Sequence, residues 1–296
     1  MKRREFLKNS AKFAGILGVL SFGADSLFAQ NGEKIPMMTL NNGVKMPALG
    51  LGTYALRGSE CERAIKDAYE CGYRLFDTAQ MYANQKEIGN AIKQMPRSEL
   101  FIETKISQNA TFSQAKEIIK RALDELQTTY IDLLLIHSNY SNSKEIYKAM
   151  EEAYKQGLIK ALGISNFNAK AYSEFIKEVE IMPTINQCQT HLFYQQNALR
   201  AVMKETILQS WSPFIAGNKK VFENALVQDL SKKYAKTPAQ IILRFLNQEN
   251  IALIPKTSHK ERMKENLDIF DFTIDSQDMQ KLRKLDENKS YFSWVD

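Results

Sequence analysis

The sequence is poor in the residues that staple small folds or bind metals: it has three cysteines and three histidines in 296 residues. Cys61 and Cys71 stand at opposite ends of one predicted helix. At about 1.5 Å rise per residue they lie roughly 15 Å apart, too far for a disulfide. Cys188 is alone in another segment, so disulfides do not hold this fold. The same six residues show no metal-ligand spacing, and no metal site is expected. Low-complexity tracts, close internal repeats, arginine-rich runs and RNP or zinc-finger patterns are all missing. The net charge of +6 therefore reads as a solvated, mildly basic surface, with no nucleic-acid partner. Part of that charge is concentrated at the start: Lys2, Arg3, Arg4, Lys8 and Lys12 face only Glu5 and Asp25 within residues 1–29.

No apolar run is long enough to span a membrane. "FAGILGVLSF" (13–22) falls short of the ~20 residues required and reads as the apolar stretch of a signal peptide. With "MKRREFLKNS" before it, the start resembles a twin-arginine signal, the address for export of folded proteins. Residues 1–29 are assigned to this signal, with cleavage before Gln30, and residues 34–296 to one domain. The expected location is the periplasm, reached through the twin-arginine machinery, or a membrane-tethered state if the signal stays on. An ordinary secretory signal is the other reading of this segment.

The body is 44% hydrophobic and 25% charged over the whole chain, ordinary for a globular protein. Eight short apolar runs recur: 48–53, 73–78, 100–105, 131–137, 159–165, 183–188, 206–212 and 251–256. Most are continuously hydrophobic, as strands buried on both faces should be. The intervals read as helices. Capping boxes are expected at Ser59/Glu62, Thr237/Gln240 and Ser258/Glu261, and a helix end at Gly72. "TFSQAKEIIKRALDEL" places Ile119, Leu123 and Leu126 on one face. Eight β-α units argue for an α/β fold of the (β/α)8 barrel type. An N-terminal β-hairpin turning at Asn42-Gly43 plugs one end, and an extra helix precedes the last strand. A doubly wound open sheet is the alternative, but no Gly-x-Gly-x-x-Gly follows a strand.

Active residues of such barrels sit at the C-terminal strand ends. Asp77, Lys105 and His137 end the second, third and fourth runs, and Tyr82 follows in the loop above. Neighbouring strands are ~4.8 Å apart, so these side chains can converge. Singly, each has a dull explanation: a helix cap, a snorkelling lysine, a satisfied histidine. Three polar groups on successive buried strand ends, with a tyrosine nearby, are harder to dismiss.

"FDTAQMYANQKEIGNAI", "ETK", "DLLLIHS", "GISNF", "INQCQTH" and "IPKTSHKERMKEN" resemble, in order, the signatures of the aldo-keto reductase family. "SWSPF" and "KTPAQIILRF" are similar to its bacterial 2,5-diketo-D-gluconate reductase-like branch. The resemblance implies NADPH-dependent reduction of an aldehyde or ketone to an alcohol. Tyr82 would be the general acid, its pKa lowered by the Lys105 ammonium, which Asp77 holds in place. His137 would orient the carbonyl and donate to its oxygen.

For the cofactor, the resemblance implies that Ser165, Asn166 and Gln187 meet the nicotinamide carboxamide. Trp211 would lie against the ring, and Ser212 and Phe214 along the diphosphate. Lys256, Thr257, Arg262, Glu265 and Asn266 would meet the adenosine end. Lysine, arginine and a hydroxyl near a helix start suit a 2′-phosphate, hence NADPH/NADP+. Tyr54 and His137 line the expected substrate pocket. Departures from the family pattern, namely Ser138-Asn139 after His137, Gln85, Tyr54 and the tail "NKSYFSWVD", are expected to shape that pocket. A small-molecule carbonyl substrate and a monomeric chain are expected. Two other readings remain open: an aldolase-like barrel forming a Schiff base on Lys105, and an NADP(H)-binding redox sensor with little turnover.

Overall fold

The computed structural model describes residues 35–292. The expected signal peptide, its cleavage point and residues 293–296 lie outside the described residues.

A hairpin comes first in chain order. β1 (Met37–Thr39) pairs antiparallel with β2 (Lys45–Pro47). Gly43 takes φ +86° in the turn, where a side chain would be strained. Asn42 Oδ1 accepts from Val44 N at 3.2 Å.

Eight parallel strands follow, joined in chain order: β3 (Leu51–Gly52), β4 (Leu75–Asp77), β5 (Phe101–Ile106), β6 (Leu133–Ile136), β7 (Leu162–Ser165), β8 (Ile185–Gln189), β9 (Ile207–Trp211) and β10 (Ala252–Leu253). Each falls on one of the eight apolar runs, with β5 and β8 extending one residue past the end of theirs. The ring closes where bridges Leu49–Leu253 and Gly52–Lys256 join the first and last strands. Gly50 N and Gly52 N donate to Leu253 O and Pro255 O across this seam. A side chain at Gly52 would stand 2.7 Å from Ile254 O, so the seam requires glycine there. This closed barrel rules out the open doubly wound sheet.

The hairpin caps the N-terminal ends of the strands. Leu40 and Met46 pack into one cluster with Leu75, Phe101, Leu133, Leu135, Ala161, Ile185, Ala252 and Ile254. A larger cluster lies between the strands and the surrounding helices. Those helices are α1 (Gly58–Cys71), α2 (Gln85–Ile92), α3 (Phe112–Glu125), α4 (Ser143–Lys155), α5 (Ala169–Phe175), α6 (Asn197–Val202), α7 (Lys219–Phe222), α8 (Ala225–Tyr234), α9 (Pro238–Gln248), α10 (Lys260–Leu267) and α11 (Ser276–Arg283). α7 and α8 are the expected insertion before the last strand, in two pieces rather than one.

Helix starts divide the expectations. Thr237 and Gln240 form a capping box with Pro238 behind them, and Gly72 ends α1 in the left-handed region. An unexpected box forms at Thr111 and Gln114. The boxes expected at Ser59 and Ser258 do not form. α1 begins two residues earlier, behind an extended Arg57 with no side-chain cap, so Ser59 is already inside the helix. The preceding loop is held by Asn84, whose amide donates to Thr53 O and Leu56 O. Before α10, Thr257 Oγ1 accepts from His259 N instead, and the helix starts at Lys260. On α3 the buried face is Ala115, Ile118, Ile119 and Ala122, continued by Leu126; Leu123 is only half-buried. No helix among the described residues is long and apolar enough to cross a membrane.

Candidate active site

Parallel register decides which side chains enter the barrel together. Asp77 of β4 pairs with Glu103 of β5. Lys105, two residues on, points the same way as Glu103. The result is a buried ionic cluster at the C-terminal end of the sheet. Lys105 Nζ pairs with Asp77 Oδ2 and donates to Thr78 O at 2.8 Å. Glu103, fully buried, accepts from Gln187 Nε2 at 2.7 Å and from Gln209 Nε2 at 2.8 Å. Gln187 Nε2 also lies 3.1 Å from Asp77 Oδ2 and 2.9 Å from Gln209 Oε1.

Tyr82 stands above this cluster, in a single 3-10 turn over Gln80–Tyr82. The Lys105 ammonium is 5.1 Å from its ring centre. The His137 ring lies 5.7 Å away and the Tyr54 ring 5.2 Å, both edge-on. Two polar bridges hold the turn. Thr78 Oγ1 donates to Asn84 Oδ1 at 2.6 Å, and Gln80 Oε1 accepts from Ser107 N at 3.0 Å. Asp77, Tyr82, Lys105 and His137 are thus brought together at one mouth. Tyr54, 62% exposed, and Met81, 61% exposed, stand at its rim.

Electrostatics correct one expectation. Burial pushes the Tyr82 phenol up, Lys105 pulls it back, and the outcome is a pKa of about 12, not a lowered one. Desolvation outweighs the single ammonium, which Asp77 already neutralises. The phenol therefore keeps its proton at neutral pH, the form an acid must start from. Burial, with Lys105 adding to it, lowers His137 to about 3, so this ring is neutral. Burial also works to lower Lys105, but Asp77 and its other neighbours overcome this and hold it above the usual lysine range. A Schiff-base lysine must shed its proton, and this one is held charged. Burial first, then Asp77, raises Glu103 well above the usual carboxylate range. One ammonium between two buried carboxyls explains that: only one of them can be neutralised by charge.

Of the expected cofactor residues, Ser165, Asn166, Gln187 and Trp211 are linked by hydrogen bonds to the same mouth. Ser165 Oγ donates to Gln187 O at 2.7 Å. Asn166, at φ +60°, donates to His137 O at 3.0 Å and accepts from Trp211 Nε1 at 2.9 Å. Gln187 has its amino group committed below, which turns its carbonyl oxygen away from the acids and suits an amide donor. After β9 the chain turns through left-handed Ser212, Ile215 and Ala216, a strained passage. Ser212 Oγ accepts from Ala216 N, and Phe214 packs on Phe222.

The adenosine-end group is less uniform. Lys260 pairs with Asp67 and Glu70, and Lys264 with Glu261. Lys256 and Arg262 are exposed and form no ion pair among the described residues. Lys256, next to Thr257 in the chain, and Arg262, on the helix that follows, are the types of donor that a phosphate requires. Glu265 is half-buried beside them, with its backbone carbonyl taken by Gln240. Asn266 is buried and bonds toward Tyr73, so part of its capacity goes to the core.

Several participants were not singled out from the sequence: Glu103, Gln209, Ser107 and Met81. Ser107 Oγ lies 2.6 Å from His137 Nδ1. In the tail, Phe292 packs on Trp211 at 5.3 Å, Tyr291 on His191 at 5.5 Å, and Ser290 Oγ donates to Gln189 Oε1. Gln85 does not line the mouth. It is buried, accepting from Thr104 and donating to Glu125, where it joins β5 to α3.

The chain matches the model of the "Aldo/keto reductase family" over residues 48–287. It is 38% identical over 260 residues to methylglyoxal reductase DkgA of Escherichia coli (strain K12), covering 86% of this chain and 94% of that protein. It is 36% identical over 257 residues to glyoxal reductase of Bacillus subtilis (strain 168), covering 84% and 92%. A crystal structure of a Bombyx mori aldo-keto reductase in complex with NADP superposes with a TM-score of 0.82 at 28% identity, covering 88% and 96%.

Proposed function

Given that the chain belongs to the aldo/keto reductase family, we propose that it reduces small α-oxoaldehydes, of the methylglyoxal and glyoxal kind, at the expense of NADPH. The observation that carries the reading is Tyr82: a protonated phenol at the barrel mouth, flanked by the Lys105 ammonium and a neutral His137. The substrate class rests on relatives named as methylglyoxal and glyoxal reductases. "SWSPF" and "KTPAQIILRF" support the 2,5-diketo-D-gluconate reductase-like branch.

When bound, NADPH supplies a hydride to the carbonyl carbon. The chain's own residues handle the oxygen. Tyr82 donates its proton as negative charge develops there. Lys105, kept cationic by Asp77, stabilises the phenolate left behind. His137 directs the carbonyl oxygen toward Tyr82. Ser165, Asn166 and Gln187 would hold the NADPH carboxamide, Trp211 would flank its ring, and Lys256 and Arg262 would meet its 2′-phosphate.

The test follows NADPH absorbance with methylglyoxal, glyoxal and 2,5-diketo-D-gluconate. Consumption with the first two is expected. Tight NADPH binding without carbonyl-dependent consumption across an aldehyde and ketone panel would instead make this a cofactor-binding sensor. In parallel, Lys256→Gly with Arg262→Ala is expected to erode the preference for NADPH over NADH.

The Arg3-Arg4 motif supports export of the folded, cofactor-loaded chain to the periplasm. Export that persists with both arginines changed to lysine would count against that route.

A further inference from the structure

Tyr82, Lys105 and Asp77 account for the proton, but none of them decides which nitrogen of His137 carries its hydrogen. We infer that Ser107 is a positioning residue that holds His137 as the tautomer with hydrogen on Nε2, which makes it a donor to the substrate's carbonyl oxygen. The inference rests on the reductase reading, since a developing oxyanion is what calls for a donor at that place.

A neutral imidazole has one donor and one acceptor nitrogen. Burial keeps this ring neutral, so the choice between them is real. The Ser107 Oγ to His137 Nδ1 distance is 2.6 Å. N–H···O bonds centre near 2.9–3.0 Å, whereas hydroxyl donors come closer. The distance favours the hydroxyl donating into Nδ1. The opposite arrangement would send the ring hydrogen to Ser107. It would leave the hydroxyl only Lys105 O, at 3.5 Å. With Nδ1 accepting, the hydrogen resides on Nε2. That nitrogen bonds to nothing else among the described residues, and the ring lies edge-on to Tyr82.

Both partners are fixed. Asn166 Nδ2 donates to His137 O at 3.0 Å. Ser107 N donates to Gln80 Oε1 at 3.0 Å, and Gln80 opens the turn that carries Tyr82. One side chain thereby ties the acid's turn to the strand end that orients the histidine.

The test is 15N imidazole NMR of the full mature chain, where His137, His191 and His259 give three ring systems. His137 is assigned by the signal lost in His137→Asn. The expected wild-type pattern is protonated Nε2 and bare Nδ1. Ser107→Ala should give a mixture of tautomers and lower kcat for methylglyoxal on the order of tenfold or more, with NADPH affinity unchanged. Ser107→Thr, which keeps the hydroxyl, should restore both. Protonated Nδ1 in the wild type, or an unchanged tautomer and kcat in Ser107→Ala, would overturn the assignment. The NMR readout needs no substrate, so absence of carbonyl turnover in the wild type is a separate failure, that of the reductase reading.

Discussion

At the end of the barrel covered by the hairpin, Leu75, Phe101, Leu133 and Ile185 meet Leu40 and Met46 in a dry cluster. Two to four residues further along the same strands stand Asp77, Lys105, His137 and Gln187. The first set contributes stability by leaving water, roughly 25 cal/mol per Å² of apolar surface. The second set costs stability, because buried ions are desolvated and only partly repaid by one another. A strand of this barrel is thus anchored at one end so that the other can carry groups no stable core would choose. Glu103 marks the crossover, midway along β5 between Phe101 and Lys105.

The largest effect should come from the polar end. Tyr82→Phe keeps the ring and removes the proton, so kcat should fall about 10²- to 10⁴-fold. Fluorescence titration should show NADPH affinity nearly unchanged; wild-type turnover in this variant would end the assignment of Tyr82. At the apolar end the reverse separation is expected. Leu133→Ala should destabilise the fold by about 2–5 kcal/mol in urea unfolding, while kcat per folded molecule holds. A large loss of kcat there would mean that the two ends are not independent.

The smallest effect concerns the crossover. Glu103 is raised in the folded chain, so between its unfolded and folded pKa values the folded state binds the extra proton. Its contribution is complete at low pH and is lost as pH rises through the folded value, about 8. His137 and His191 are lowered by burial to about 3 and about 4. Their contribution is complete above the unfolded value near 6.5 and is lost as pH falls. Glu103→Gln should therefore flatten the decline in stability from about pH 5 to 8 and leave the slope below the unfolded carboxylate value alone. Urea midpoints at several pH values would show it, and an unaltered alkaline slope would place the titrating group elsewhere.

The same contrast explains what the sequence disclosed. Continuous apolar runs ending in Asp77, Lys105 and His137 carried both the strands and the mouth, because burial and chemistry follow each other along one short stretch. Residues whose role comes from a partner on another strand gave no such sign. Ser107 meets His137 thirty positions away, and Glu103 meets Gln187 and Gln209 across the barrel. Register alone brings them together. The missed helix starts have a local cause. Ser59 and Ser258 have suitable spacing, but the loops before them fix where the chain enters each helix. The raised Tyr82 pKa could not be read from residue types, since it depends on how fully the phenol is removed from water.

The seam between the first and last strands has a consequence in time as well as space. Ribosomes deliver this chain from its N-terminus, and Gly50 and Gly52 must wait for Leu253 and Pro255 before their amides are satisfied. Lys256 lies beyond even that point. Asp77, Tyr82, Lys105 and His137 all come from the first half of the chain, yet the ring that holds them does not close until residues 253–256 have been synthesised. Loading a nucleotide into this protein is thus an event that follows synthesis.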